Sequence, residues 1–221
     1  MDFSSTRISL SRPVTSYSRV RRLISFALRK WPRKRPYPHE SFYLDLGPGP
    51  NPSADFFSID YNWVPGIQIV CDLTKKFDPP NERVLGCYTE HFLEHIPFED
   101  AILILKKVHA CLVPGGVLRV IVPDLQIYCA AVVDENSLGS RMALPNQREI
   151  CGVRTAATSL NDAVRLHGHL FLWDYSTLEI VLRKAGFDQI CRQEFGRGRD
   201  PKLLKDSSSR AYESLYVEAV K

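Results

Sequence analysis

The feature that most constrains this chain is a succession of short apolar runs, each stopped by an acid, a glycine or another polar residue. FYLDLG (Phe42–Gly47), FFSID (Phe56–Asp60), IQIVCDL (Ile67–Leu73), VLGCY (Val84–Tyr88) and VLRVIVPD (Val117–Asp124) are rich in β-branched and aromatic side chains. Runs of this kind read as strands, and their rhythm is that of a parallel sheet. Between the fourth and fifth, Phe98–Leu112 places Ile102, Leu105, Val108, His109 and Leu112 on one helical face. Pro97 precedes it, Glu99 and Asp100 occupy its first turn, and Pro114-Gly115-Gly116 follows it, so a crossover helix is predicted. A second helix is predicted from Ser176, with a capping box of Ser176 and Glu179, a stripe of Leu178, Val181, Leu182 and Ala185, and Gly186 as its stop. QICRQE and SLYVEAV read as two closing strands. The fold class is therefore α/β and doubly wound, with a ligand site beyond the carboxyl ends of the first strands. Chemistry should be sought at Asp45, Gly47, Gly49, Asp60, Asp72, Glu90 and Asp124.

Charge divides the chain in two. Residues 1–39 carry a net +9 and the remainder −5, so the basic character belongs to an N-terminal arm. A mildly acidic body lacks the clustered Lys and Arg of a nucleic-acid groove, which favours small molecules or saccharides as partners. Within the arm, YSRVRRLISFALRK puts Val20, Leu23, Ile24 and Ala27 at helical spacing among Arg19, Arg21, Arg22, Arg29 and Lys30. The prolines of WPRKRPYPH then make an extended linker. We divide the chain into residues 1–40, the basic arm with its Pro-rich linker, and residues 41–221, one domain. A disordered arm, a helix on an anionic membrane surface and an organelle presequence remain open as readings of the arm. No apolar run approaches the roughly 18 residues of a membrane span, since Val117–Val122 is interrupted by Arg119. Cys71, Cys87, Cys111, Cys129, Cys151 and Cys191 lie far apart, mostly among apolar neighbours, as small buried hydrophobes do. That usage points to a reducing, cytoplasmic compartment.

At the end of the first run, LDLGPGPNP sets Gly47 and Gly49 where the backbone must turn sharply and a ligand can approach. Asp60 closes the second run, where a carboxylate can accept hydrogen bonds from both hydroxyls of a ribose. The third run ends in Asp72-Leu73, suited to an adenine amino group and ring face. Asp commonly serves as a turn residue, but acids at three successive strand ends point to a single ligand. Residues 42–124 resemble the class I S-adenosylmethionine-dependent methyltransferases. LDLGPGP resembles the first motif of that family, Asp60 its ribose acid and CDL at 71–73 its adenine-contacting segment. TEHFLEHI resembles its fourth-strand exit and LVPGGVLRVIVPD its fifth-strand signature. Within the family the chain is most similar to small methyltransferases with an E-H-x-x-E-H exit and a VPD strand end. The resemblance implies a mostly parallel seven-stranded sheet with an antiparallel last pair, and S-adenosyl-L-methionine as cofactor. It also implies cofactor contacts from Asp45, Gly47, Gly49, Asp60, Tyr61, Asp72, Leu73 and Glu90. Two departures stand out: Pro48, Pro50 and Pro52 intrude in the loop, removing amide donors, and only Asn51–Asp55 separate it from the second run, so the first helix must be nearly absent.

Methyl transfer from a charged sulfonium needs mainly an in-line approach of the acceptor, and a general base helps where the acceptor is a hydroxyl or an amine. His95, His167 and His169 are the candidates, with His91, Glu94 and Asp174 as further polar groups nearby. If HGHLFLWDYSTLE is extended, His167, His169 and Phe171 face one side and Leu170 and Leu172 the other, covering the acceptor side of the cofactor. The bland alternative has these histidines bonding backbone and the aromatics packing on the sheet. Rival readings remain. His91-Phe-Leu-Glu94-His95 fits the H-x-x-E-H pattern of zinc hydrolases, yet Pro97 leaves too little helix to carry it, and no metal ligand is expected. A nicotinamide-dependent dehydrogenase would require glycine where Pro52 stands. A degenerate methyltransferase fold serving as a binding scaffold is the non-enzymatic alternative. Residues 125–175, which would shape the acceptor pocket, carry no motif that can be decoded.

Overall fold

The computed structural model describes residues 18–30, 37–134, 136–143 and 152–221. Its strands are β1 (Phe42–Leu46), β2 (Phe57–Asp60), β3 (Ile69–Val70), β4 (Val84–Glu90), β5 (Leu112–Pro123), β6 (Gln189–Gln193) and β7 (Ser214–Val220). They form one seven-stranded sheet in the order β3-β2-β1-β4-β5-β7-β6. The first five strands are parallel, and β7 lies antiparallel between β5 and β6. This is the mostly parallel sheet with an antiparallel last pair that the sequence implies. The helices are α1 (Arg19–Lys30), α2 (Phe98–Cys111), α3 (Leu125–Val133), α4 (Leu138–Ala143), α5 (Ala156–Arg165) and α6 (Tyr175–Ala185). Among the described residues, no helix is long and apolar enough to cross a membrane.

One face of the sheet is covered by α2 and α6. Ala101, Ile104, Leu105, Val108 and Cys111 of α2, and Leu178, Val181, Leu182 and Ala185 of α6, are buried with Leu44, Leu46, Ile59, Leu118 and Val120 in the main core. The α6 stripe is the predicted one, and Gly186 ends that helix at φ 110, a left-handed position where a Cβ would be strained. Its N-cap, however, is Asp174, whose carboxylate accepts from the Thr177 amide, because the helix starts two residues earlier than the Ser176 box requires. In α2 the buried face is turned from the predicted one, so that Ala101, Ile104 and Cys111 point inward and His109 packs edge-on against Phe187.

Boundaries differ where turns override apolar content. The third run is a strand only over Ile69–Val70, because a turn capped by Asp72 takes the chain away from β2. The fifth strand begins at Leu112, not Val117. Val84 pairs with Leu112 and Gly86 with Val117, so Pro114-Gly115-Gly116 forms a bulge within the strand instead of a loop before it. The stretch between β1 and β2 holds no helix, in agreement with the spacing. Helix α1 forms as predicted, but its stripe does not face inward: Val20, Leu23 and Ala27 are exposed and Ile24 is half-buried. The helix docks instead through Ser25, whose Oγ accepts from the Trp63 amide at 2.8 Å, and through Leu28 against Val64, Ile67 and Val70. Cys71, Cys87 and Cys111 are buried, Cys191 is half-buried and Cys129 is exposed, the last a departure from the predicted burial; Cys151 lies outside the described residues.

Among the described residues, the second face carries no packed helix of the α2–α6 kind. It is covered by the long β6–β7 connection, whose Leu203 is fully buried with Phe56, Tyr88, Val117, Ile121 and Tyr216. Arg119, the residue that interrupts the most apolar run, holds this connection in place. Its side chain is fully buried and every N–H has an acceptor: Nε and Nη2 donate to the two oxygens of Asp206, Nη1 to Glu218 and the Arg197 carbonyl, and Nη2 also to the Glu194 carbonyl. A guanidinium satisfied in this way is a strong, geometrically specific anchor. Removing it leaves two buried carboxylates without the guanidinium charge, held by the Gly196 and Arg199 amides and by Gln193, so Arg119→Leu should lower the unfolding free energy by about 3–5 kcal/mol in urea denaturation. A loss below about 1 kcal/mol, within the range of an ordinary surface substitution, would contradict this account.

Candidate functional site

The site lies where the sheet topology directs it, at the carboxyl ends of β1, β2 and β4. Gly47 and Gly49 take positive φ, 70° and 63°, in the turn that leaves β1. The Gly47 amide donates to the Ile59 carbonyl at 2.9 Å and the Gly49 amide to Asp60 Oδ2 at 3.0 Å, so the loop is folded back on β2. Asp60 also accepts from the Asn62 amide. Burial raises the Asp60 pKa, and these amides counter it by favouring the carboxylate. Tyr61 follows, half exposed, with the Arg29 guanidinium of α1 3.8 Å from its ring centroid. Asp72 accepts from the amide and hydroxyl of Thr74, which help hold its pKa low. Tyr61, Cys71, Asp72, Lys75 and Lys76, with Phe26, Arg29 and Lys30 of α1, line a cleft of about 430 Å³. Leu73, predicted at the same edge, is instead buried in the main core.

Asp45 and Glu90 lie closer to the middle of the sheet and already have partners from the β6–β7 connection. Lys205 Nζ donates to Asp45 Oδ2 at 2.5 Å, and the Ser207 amide donates to Glu90 Oε1 at 2.9 Å. Tyr88 Oη donates to the other Glu90 oxygen. Burial raises the Asp45 pKa while Lys205 pulls it down. Asp45 Oδ1, also buried, has no hydrogen-bond partner. Lys205 and Ser207 were missed in the sequence reading, since nothing in RGRDPKLLKDSSS marks them as reaching β1 and β4.

The histidine candidates converge. After β4, His91 takes φ 48° and Leu93–His95 form a single 3-10 turn, stopped by Pro97. The helix that the zinc-hydrolase pattern needs is therefore replaced by three residues. The segment bearing His167 and His169 folds onto this turn: the Leu170 and Phe171 amides both donate to the Glu94 carbonyl, at 2.7 and 3.2 Å. His95 and His169 rings lie 4.9 Å apart, and His167 and His169 rings 5.7 Å. The segment is not extended, as alternation would require, because His167 and Gly168 adopt φ 63° and 78° and turn the chain. Leu170 consequently points to solvent, while Phe171 packs against Phe98 and Trp173. Asp124 and Asp174 act as helix N-caps, of α3 and α6.

Phe92 joins the two halves of the site. A Cβ on Gly47 would come within 2.4 Å of Phe92 Cδ2, whereas one on Gly49 would meet nothing within 4 Å. Gly49→Ala should therefore cost about 1–2 kcal/mol, the strain of a left-handed backbone alone. Gly47→Ala should cost more, since Phe92 must also move. Thermal unfolding of the two variants checks this, and equal losses would show that Phe92 does not pack against the loop.

No family model matches the chain, and no curated protein matches it. Solved structures do. Haemonchus contortus phosphoethanolamine N-methyltransferase 2, in complex with phosphomonomethylethanolamine and S-adenosylhomocysteine, superposes with a TM-score of 0.52 at 14% identity, over 90% of this chain and 52% of that one. An S-adenosylmethionine-dependent methyltransferase from Archaeoglobus fulgidus gives 0.47 at 15% identity, over 91% and 94%. The chain spans about half the length of the Haemonchus enzyme. It has the Rossmann-like fold of the S-adenosylmethionine-dependent methyltransferases.

Proposed function

We propose that this chain is an S-adenosylmethionine-dependent methyltransferase whose acceptor is a small polar molecule or a saccharide. The observation that carries the reading is the bond from the Gly49 amide to Asp60, which ties the glycine loop of β1 to the acid that closes β2. Asp60 retains lone pairs for a ribose, and the open space at Gly49 lets a ligand come close to the backbone. The orphaned Asp45 Oδ1 is a buried acceptor in want of a donor, as an ammonium group of the cofactor would be. Asp60, Tyr61 and Asp72 would hold the nucleoside, with α1 forming one wall of the cleft. Bound S-adenosylmethionine supplies a methyl group on a cationic sulfonium, so positioning provides most of the rate.

On the acceptor side, His167 is exposed, with its ring 5.7 Å from that of His169, and His169 Nδ1 and His95 Nδ1 face the carbonyls of Ala163 and Gly168. We assign proton removal from a hydroxyl or amine acceptor to His167, and the shaping of the pocket to His95 and His169. The division into an arm (1–40) and a methyltransferase-like domain (41–221) stays part of this proposal, with α1 resting against the domain. The exposed Val20, Leu23 and Phe26 of α1, beside Arg19, Arg21 and Arg22, support contact with an anionic membrane surface. Co-sedimentation with phosphatidylserine vesicles should fall in Leu23→Glu, and undiminished sedimentation would remove α1 from that role.

A second reading, a binding scaffold with a closed site, is favoured by the contacts of Lys205 on Asp45 and Ser207 on Glu90. One titration separates the two. Calorimetry with S-adenosylmethionine should give saturable binding, weakened about ten- to a hundredfold in Asp60→Asn, as expected for lost hydrogen bonds to a charged group of about 1.5–3 kcal/mol. No binding to the unmodified chain would favour the scaffold.

A further inference from the structure

Glu94 presents an unusual problem of charge. Its side chain is fully buried, and neither carboxylate oxygen has an aligned hydrogen-bond donor. What surrounds it is imidazole: His91 Nδ1 lies 3.3 Å, His95 Nε2 3.9 Å and His169 Nε2 4.0 Å from the same oxygen, Oε1. The outer nitrogens of these rings decide where the ring protons sit. His169 Nδ1 lies 2.6 Å from the Ala163 carbonyl, which can only accept, so Nδ1 carries the proton. His95 Nδ1 faces the Gly168 carbonyl at 3.4 Å in the same sense. His91 Nε2 meets Ser214 Oγ at 2.9 Å, and that hydroxyl already donates to the Arg210 carbonyl, so here too the imidazole donates outward. With neutral rings, three nitrogen lone pairs converge on a buried carboxylate. Such a cluster is repulsive until a proton or a metal cation enters it.

The ligand atoms of Glu94, His95 and His169 lie within 4.8 Å of one another. A tetrahedral zinc ion with bonds of about 2.0–2.1 Å needs its ligand atoms roughly 3.4 Å apart, so a closure of about an ångström brings these three into coordination. Two imidazoles with one carboxylate is a ligand set that suits zinc, and outer ring N–H groups held by backbone carbonyls are the usual support of metal-binding histidines. We propose that Glu94, His95 and His169 bind one divalent transition-metal ion, zinc by ligand type. The ion would tie the end of β4 to the segment that carries His167. Three protein ligands leave a fourth position, and it opens where His95, with 36% of its side chain exposed, reaches solvent. The set differs from the sequential H-x-x-E-H reading. His169 replaces His91, and Glu94 is a ligand in place of a base.

The test uses the full chain without a polyhistidine tag, stripped with a chelator, dialysed and titrated with zinc chloride in a calorimeter. One ion per chain is expected, with a rise in melting temperature. His95→Gln, at a partly exposed side chain outside the apolar core, should weaken binding about a hundredfold, and the double change with His169→Gln should abolish it. His39→Gln, an exposed histidine outside the cluster, should bind as the unmodified chain does. Cobalt in place of zinc should give the strong visible absorption of a tetrahedral site on the unmodified chain, a readout that needs no variant to fold. No zinc uptake, or equal uptake by the folded double variant, as adventitious binding at the exposed Cys129 would give, overturns the proposal.

Discussion

A seven-stranded sheet has two faces to cover, and among the described residues crossover helices cover only one. The connections from β1 to β2, β2 to β3 and β3 to β4 contain no helix, so the face bearing Tyr43, Phe56, Tyr88, Ile121 and Tyr216 depends on the chain between β6 and β7. That connection is irregular and largely polar, and apolar burial alone would hold it weakly. Arg119 supplies the missing hold. Placed on β5, it binds carbonyls of Glu194 and Arg197, the carboxylate of Asp206, and Glu218 of β7. A buried charge is costly unless every donor is matched, and here all five are. The requirement that makes Arg119 expensive also makes the course of the covering segment specific.

The site inherits this arrangement. Because the connection must cross the sheet to cover it, Lys205 arrives beside Asp45 between the rings of Phe56 and Tyr88, and Ser207 arrives at Glu90. Two of the strand-end acids therefore reach the site with their charge or hydrogen bonding already partly met. Asp60 and Asp72 do not touch that connection; they are held by local amides and hydroxyls, and they border a cleft walled by α1. The covering segment thus divides the acids into an inner pair engaged by the connection and an outer pair beside open space.

What was legible in the sequence followed from local rules. Strand identity came from apolar runs, the α6 stripe from helical spacing, and the missing first helix from the few residues between Gly49 and Phe56. Helices α3, α4 and α5 were not legible. α3 is nearly all apolar, and the residues α5 buries are Ser159, Asp162 and Ala163, so neither buries the apolar face that spacing would mark. The docking of α1 was misjudged because its contact rests on Ser25 and Leu28, while the apolar stripe that the spacing marks stays in solvent. In the site, the acids were legible because each lies at or near the end of an apolar run. Their partners were not, since Lys205 and Asp45 lie 160 residues apart and only the fold brings them together. The expectation that no metal ligand exists rested on the absence of a helix through His91 and His95. The proposed metal site rests instead on His169, which the turn at His167-Gly168 brings to Glu94 from 75 residues away.

The turn from Glu90 to His95 shows why these separate contacts act as a unit. Each residue addresses a different part of the molecule. Glu90 accepts from the covering segment, His91 meets Ser214 at the start of β7, and Phe92 lies where a side chain on Gly47 would be. Leu93 is buried in the main core, and the Glu94 carbonyl receives two amides from the histidine segment, whose Gly168 carbonyl faces His95. Six successive residues therefore join the glycine loop, the sheet cover, the antiparallel strand and the histidine segment. A shift of this turn cannot be confined to one of them. Moving Phe92 alters the space that Gly47 needs, and moving Glu94 breaks the backbone bonds that hold His169 near its carboxylate. The glycine loop and the histidine cluster are thus coupled through a short, sterically fixed piece of backbone.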